Sequence, residues 1–374
     1  MKDKIKTVLH IANYAAIYGG NFIESLENLS DELMKKNIHT IYMFPAKKTE
    51  GTELPWITNI KERGREVYGL TESVIKAAKT IRSLIKKYNI VLIHTHFISM
   101  KQYLSVYLAT MFTKCNLIMH FHNHSLVAQG VKNILRRTLY KKCTMVSCSD
   151  SVLESISRDY PKNKKFSVDN GIFFQRLENV SVATRNEYGL KEDTKICLIF
   201  GFDFYRKGVD LALRALDKLN QNGIRYELLI SLSKNLESVE RETIKVLGVL
   251  PSWVHIIKAR SDVAALYNLC DIFLSPSREE GLPYSVLEAA YCKCNVIYSD
   301  IPAQVNLKIP YALVHIAEDF RSLAEMIEKM ELQGDWKKDN YSIVQEKMKE
   351  NYSLSRWTRQ IIDIFQKEGL KIDE

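Results

Sequence analysis

A chain of 374 residues is longer than one hydrophobic core usually serves, so two domains are expected. Its composition, 46% hydrophobic and 26% charged with no low-complexity run and no internal repeat, is that of a globular protein, and no apolar stretch is long enough to span a membrane. The net charge of +9 is unevenly spread: residues 1–172 carry 26 Lys and Arg against 14 Asp and Glu, a net of +12, and the remainder carries 27 against 30, a net of −3.

The N-terminal lysines are not followed by an apolar run and a cleavage site, so no signal peptide is expected. The seven cysteines lack Cys-x-x-Cys spacing, which suits a reduced cytosolic protein with cysteines as small core residues. Residues 6–12 read as a buried strand, followed by a loop with Gly19 and Gly20. A helix follows, with Phe22, Ile23, Leu26, Leu29 and Leu33 at helical spacing, and then a strand over 38–44. This strand, glycine loop, helix, strand order opens a parallel sheet. Residues 45–72 read as polar loop with a short strand. An amphipathic helix is expected over 73–87, a strand over 90–96, a helix over 101–111 and a strand over 116–122.

Between Glu72 and Asp150 there are twelve Lys and Arg and no acidic residue. Such a block suits an anionic surface, whether phospholipid headgroups, a lipid diphosphate or nucleic acid, or it is a solvated basic face. Nucleic acid is disfavoured, because the aromatics that would interleave with the cations are missing. Residues 129–142 read as a basic amphipathic helix, with Ile134, Leu135, Leu139 and Tyr140 on one side, able to lie on a membrane surface.

Histidines crowd two strand ends, at His94 and His96 and at His120, His122 and His124. Open α/β sheets bind ligands at such ends. The spacing could suggest a metal, but no Asp or Glu lies near in sequence, so no metal is expected. A strand at 144–149 and a helix from Ser151 precede Asn170-Gly171-Ile172, which closes the first domain.

The same grammar then repeats. A strand over 196–201 leads through Arg206, Lys207 and Gly208 to a helix over 209–219, with further strands over 226–232, 254–258, 271–274 and 296–299. Arg206 and Lys207 at a strand end suit a diphosphate: Arg can hold two phosphate oxygens at once, and Lys adds a mobile point charge. The stretch from Ser275 to Cys292 ends a strand, turns through Pro283, expected at the first helical position, and enters a helix apolar nearly all round. Glu288 in that helix would be costly if unpaired, and Glu280 stands in the loop before it. Taken alone, the Glu-x7-Glu spacing is equally that of a surface acid and a capped acid around an ordinary helix. A final helix over 355–367 carries Trp357, Ile361, Ile364 and Phe365.

With Pro276, Ser277, Glu280, Gly281, Leu287, Glu288 and Ala289 in order after a strand, the chain resembles the retaining GT-B glycosyltransferases of family 4 (group 1 type) of bacterial surface-polysaccharide synthesis. The resemblance implies two Rossmann-like α/β domains facing across a cleft: an acceptor-side domain at 1–173, a linker at 174–193, a nucleotide-sugar domain at 194–350, and a C-terminal segment at 351–374 that crosses back to the first domain. It implies a hexosyltransferase that takes a sugar from a nucleotide-sugar, a UDP-sugar by preference, with retention and without metal or cofactor. Arg206 and Lys207 would stabilise the leaving diphosphate, Glu280 hold the sugar hydroxyls and Glu288 the ribose, with Gly281 and Leu282 between them. Gly19 and Gly20 would lie beside the diphosphate and His122 against the donor sugar, with His120 and Asn123 behind it. The acceptor expected is a glycan, best a polyprenyl-diphosphate-linked oligosaccharide at the inner face of the cell membrane, where the enzyme would sit peripherally on an anionic surface. Four residues depart from the family pattern: Phe173 in place of an acid, Phe202 in place of Arg, Lys293 in place of Gly, and Asn295 in place of Pro. Pro283 also stands where many members have Gly. The rival readings are a nucleotide-sugar epimerase of the same architecture and a catalytically silent partner subunit.

Overall fold

The computed structural model describes residues 5–45, 48–49, 52–125, 131–178, 181–223, 225–332 and 337–372. The chain divides into two compact units, Met1–Ile172 with Tyr352–Glu374, and Phe173–Asn351.

The first unit opens with β1 (Lys6–Ala12), α1 (Gly20–Lys35) and β2 (Ile38–Pro45), then a two-residue pair, β3 (Lys48–Thr49) and β4 (Thr52–Glu53). It continues through α2 (Pro55–Glu62), β5 (Glu66–Leu70), α3 (Val74–Tyr88), β6 (Ile90–His96), α4 (Met100–Thr110), β7 (Asn116–Phe121), α5 (Val131–Tyr140), β8 (Thr144–Ser147), α6 (Asp150–Asp159) and β9 (Lys165–Ser167). Among the described residues, seven strands form a sheet in the order β5-β2-β1-β6-β7-β8-β9. Every pairing in it is parallel, with β1 against β6 aligning His10 with His94 and β6 against β7 aligning His96 with His120. Parallel strands are buried on both faces by their crossover helices, which is why β1 and β6 read as near-continuous apolar runs.

The second unit holds β10 (Lys195–Phe200), α7 (Val209–Leu219), β11 (Tyr226–Leu232), α8 (Leu236–Leu247), β12 (Val254–Lys258), α9 (Ala264–Leu269), β13 (Ile272–Ser275), α10 (Tyr284–Tyr291), β14 (Asn295–Ser299), α11 (Pro302–Val305), β15 (Leu313–His315), α12 (Phe320–Leu332) and nearly all of α13 (Lys337–Tyr352). Its parallel sheet runs β12-β11-β10-β13-β14-β15. The chain then returns to the first unit as α14 (Leu354–Lys367).

In each unit the strand order reverses direction beside the first strand, between β1 and β6 and between β10 and β13. Crossovers leave these points on opposite faces, so the loops after the two strands part and open a crevice at their C-terminal ends. In the first unit α1 and α14 cover one sheet face through Phe22, Leu26, Trp357, Ile361 and Phe365, each 7% exposed or less. A fully buried side chain of this size contributes about 1.5–3 kcal/mol. Ile172 bridges in parallel to Ser353, and a Cβ on Gly171 would stand 3.0 Å from the Leu354 backbone, so the Asn170-Gly171-Ile172 segment packs tightly against the start of α14.

Several local expectations need correction. Residues 45–72 contain α2 as well as strands, with Pro55 in its first turn and Trp56, Ile57 and Ile60 buried. The first-unit strands at 116–122 and 144–149 stop earlier, at Phe121 and Ser147. Residues 174–193, read as linker, belong to the second unit and include two 3-10 turns, Phe174–Leu177 and Asn186–Tyr188. In α5 the four apolar residues do not share one side: Leu139 and Tyr140 are buried, Tyr140 against Tyr103 at 4.5 Å, whereas Ile134 and Leu135 are 68% and 49% exposed. Residues 129–130 of that expected helix lie outside the described residues. All seven cysteines are free thiols, six of them buried. Among the described residues no helix is long and apolar enough to cross a membrane.

Candidate functional site

The second unit builds its site from two loops at the crevice between β10 and β13. Gly201 follows β10; a Cβ there would meet Ile230 at 2.5 Å, so only glycine fits. The loop then winds through Asp203–Gly208, closed by Lys207 N–H to Asp203 O at 2.8 Å and Gly208 N–H to Tyr205 O at 3.1 Å. Gly208 caps α7 at φ 69°, ψ 29°. A Cβ on it would stand 2.0 Å from the carbonyl oxygen of Pro276, so the two loops touch backbone to backbone.

That contact brings together four of the residues singled out in the sequence, Arg206, Lys207, Ser277 and Glu280. The Lys207 ammonium donates to Glu280 Oε1 at 2.5 Å, and Ser277 Oγ donates to the same oxygen at 2.8 Å. Arg206 pairs with Asp203 through Nε at 2.8 Å and stands 3.6 Å from Glu280 Oε2. It also donates to Glu279 O at 3.0 Å. Lys207 and Glu280 are only 9% and 7% exposed. Burial lowers the Lys207 pKa, and the Glu280 carboxylate opposes that shift. Phe202 lies under both cations, its ring centre 4.7 Å from Lys207 Nζ and 5.2 Å from the Arg206 guanidinium carbon.

Supporting groups escaped the sequence reading. Arg278 grips Asp210 with two bonds of 2.7 and 2.9 Å and also pairs with Glu318 at 2.8 Å, while its N–H donates to Arg206 O at 2.8 Å. Gln304 donates to Ser275 O at 3.1 Å and accepts from Ser299 Oγ at 2.7 Å, and Ser299 Oγ also bonds Ser277 O at 2.6 Å. These bonds fix the loop that carries Glu280. Gly281 and Leu282 follow Glu280, with Leu282 buried. Pro283 is the N-cap of α10, not its first residue: the Tyr284 N–H turns back to Leu282 O at 3.0 Å, and the helix spans only eight residues.

Glu288, 4% exposed on α10, is paired. Arg176, from the first 3-10 turn, forms a salt bridge to Oε1, and Tyr267 OH donates to Oε2 at 3.1 Å. Burial works against the Arg176 charge, but the Glu288 carboxylate outweighs it and raises the pKa. Arg176 lies 112 positions from Glu288, so no local signal could have linked them.

The first unit gathers the histidines. His122, just past β7, is half-buried; its Nε2 lies 3.0 Å from His96 Nδ1 and its Nδ1 lies 3.3 Å from Asn170 Nδ2. Its ring stacks on Phe97 at 4.3 Å and on His120 at 4.5 Å. Phe97 holds φ 55°, a conformation costly for a bulky side chain. His120 is fully enclosed, and burial pushes its pKa down to about 3; burial also lowers that of His122. Asn123 is exposed. Gly20, at φ 57°, starts α1 after the loop from β1, and Tyr14 OH donates to Gly19 O at 3.1 Å.

Comparison with known proteins agrees with this architecture. The chain is similar to the O-antigen biosynthesis glycosyltransferase WclY of Escherichia coli, with 25% identity over 300 residues, 71% of this chain and 81% of that protein. A stretch of 47 residues, 13% of this chain and 12% of the relative, is 51% identical to the N,N'-diacetylbacillosaminyl-diphospho-undecaprenol alpha-1,3-N-acetylgalactosaminyltransferase of Campylobacter jejuni. Among solved structures, a glycosyltransferase from Rickettsia africae has the same fold at a TM-score of 0.80 and 19% identity, covering 98% of this chain and 99% of that one. Residues 182–351, which hold the Arg206, Lys207, Glu280 and Glu288 constellation, match the family Glycosyl transferases group 1. This part of the chain is a group 1 glycosyltransferase domain, in a protein with the fold of the GT-B glycosyltransferases.

Proposed function

We propose that the protein is a retaining hexosyltransferase that moves a sugar from a UDP-sugar to a lipid-linked glycan in bacterial surface-polysaccharide synthesis. The observation that carries the reading is the buried Lys207–Glu280 pair with Arg206 beside it, at the crevice where the strand order of the second unit reverses. Two cations held by one carboxylate and an acidic loop are set to exchange partners when a diphosphate arrives. Arg206 and Lys207 then neutralise the leaving group, so no metal is needed to bridge the phosphates. Glu280, released from Lys207, accepts from the hydroxyls of the transferred sugar, and Glu288, held rigid by Arg176 and Tyr267, accepts from the ribose. The acceptor oxygen bonds to the anomeric carbon on the face from which the phosphate oxygen departs, and its proton passes to that phosphate.

The undecaprenol-linked substrate in the name of the Campylobacter jejuni relative and the acid-free basic stretch after Glu72 both support a lipid-linked acceptor at an anionic membrane surface. Salt-sensitive binding to anionic vesicles, absent with neutral ones, is the expected behaviour; equal, salt-insensitive binding to both would remove the membrane from the proposal.

The deciding experiment is a panel of nucleotide-sugars read by thermal shift and by turnover, with wild type beside Glu280→Gln and Glu288→Gln. One UDP-sugar is expected to shift the wild type, to be hydrolysed slowly without acceptor, and to lose both effects in the variants. No shift with any nucleotide or nucleotide-sugar would overturn the transferase reading in favour of a silent partner subunit.

A further inference from the structure

Five histidines, four on three strands and His122 just past the third, meet in the first unit. His10 on β1, His94 and His96 on β6, and His120 at the same level on β7 lie on neighbouring central strands, with His122 at their edge. On this face the strands begin with aliphatic residues, Val8, Leu92 and Ile118, as a parallel-sheet core requires. Toward the C-terminal ends imidazoles take the aliphatic places. His10, His94 and His96 are each 0% exposed. Both ring nitrogens of His10 and of His94, and Nε2 of His96, have no hydrogen-bond partner. Buried polar atoms are nearly always paired, and an unpaired group calls for an absent partner such as an ion.

We propose that His10, His94 and His96 bind one late first-row divalent metal ion, of the zinc class, as a structural centre under α1 and α14. One ring nitrogen from each lies within 4.8 Å of the others. Zinc–nitrogen bonds of about 2.0–2.1 Å bring such atoms roughly 3.4 Å apart, a closure that small ring rotations supply. Three imidazoles without a carboxylate select zinc, cobalt, nickel or copper over magnesium or calcium, which take oxygen ligands. The Nδ1 of His96 faces His122 Nε2 at 3.0 Å, so its unpartnered Nε2 is the nitrogen left to face the ion. An aromatic shell closes the site: Tyr42 stacks on His10 at 5.5 Å, Phe365 meets His94 edge-on at 5.2 Å, and Phe22 meets His96 at 5.1 Å. A second triad, His96, His120 and His122, is also close, but both ring nitrogens of His122 already face partners. The centre would pin the C-terminal ends of β1 and β6 together, in the unit that does not carry the Arg206 and Lys207 cations.

The test uses the full chain purified without chelator. Elemental analysis is expected to find about one transition-metal equivalent per chain. After stripping with a chelator, added zinc at a hundredfold excess over its dissociation constant should raise the melting temperature by about 5–10 °C, and cobalt should give the visible absorption of a low-coordinate site. His94→Leu, which fills the same core position with an apolar side chain, should melt at the same temperature with zinc or chelator and hold no metal, whereas His122→Ala should retain it. A wild-type chain that takes up no metal and shows no zinc-dependent shift would overturn the proposal, as would a His94→Leu chain that binds zinc like the wild type. Loss of metal in His122→Ala would overturn the choice of triad.

Discussion

Replacing Gly208 with alanine probes the contact that brings the Lys207 and Glu280 loops together. Two costs follow from the geometry. The residue sits at φ 69°, and an alanine in the left-handed region costs roughly 1–2 kcal/mol. Its Cβ would lie 2.0 Å from Pro276 O, which is backbone and cannot rotate away. The Pro276 segment is held on both sides, by Gln304 on Ser275 O and by Ser299 on Ser277 O, so relief must pull the two loops apart. Overpacking of this kind costs about 1–3 kcal/mol more. A total near 3 kcal/mol in a unit of this size lowers the melting temperature by roughly 6–12 °C. Gly248→Ala is the control: it has φ 81°, with nothing within 4 Å of the new Cβ, and should lose only the backbone contribution. Differential scanning calorimetry of the two variants beside wild type reads the difference, and a nucleotide-sugar titration reads its effect on the site. If Gly208→Ala melts no lower than Gly248→Ala, the backbone contact between the loops is not formed and the reasoning fails.

Three further outcomes are expected. Lys207→Met leaves the Glu280 carboxylate buried with only Arg206 and Ser277 beside it, a loss of about 3 kcal/mol in guanidinium melts, and Lys207→Met with Glu280→Gln should recover most of it; strictly additive losses would show that the pair does not interact. Glu288→Gln keeps the Tyr267 bond but removes the charge facing Arg176, so its stability should fall by about 1–3 kcal/mol, with Glu288→Ala below it, and a Gln variant as stable as wild type would count against the Arg176 pair. Burial holds the His315 imidazole below its free value of 6.5, while Ile316 O, Asp300 and Asp319 oppose the shift. The unfolded chain therefore binds the extra proton first, and stability declines as pH falls below about 6.5. His315→Phe should flatten the drop in melting temperature between about pH 7 and about pH 5, and an unchanged slope would locate the acid sensitivity elsewhere.

The Arg206, Lys207, Glu280 and Glu288 constellation was legible because its parts are local. Lys207 and Gly208 sit in the short loop between β10 and α7, and Glu280 and Glu288 lie on one loop and the helix that follows it. The missed helix α2 shows the opposite case. Its eight residues, flanked by polar segments, offer too few turns for periodicity to stand out, and Trp56, Ile57 and Ile60 declare themselves only once they enter the core under α1. The basic helix α5 was read as one-sided because spacing on a helix cannot say which apolar residues a neighbour will claim. Tyr103 and Tyr160 claim Tyr140 and leave Ile134 outside.

What the sequence by itself determined is the alternation of apolar strands and amphipathic helices, and hence two parallel sheets, since each helix serves as the crossover that parallel neighbours require. It also settled which cations and carboxylates stand at the carboxyl ends of the strands. What only the tertiary structure decided is which distant groups face them. Arg176 reaches Glu288 and Arg278 reaches Asp210, and the register of β1, β6 and β7 sets His10, His94 and His96 on one buried face. The reason is that strand order and register are fixed by long-range packing, and a histidine's neighbours across a sheet lie tens of residues away along the chain.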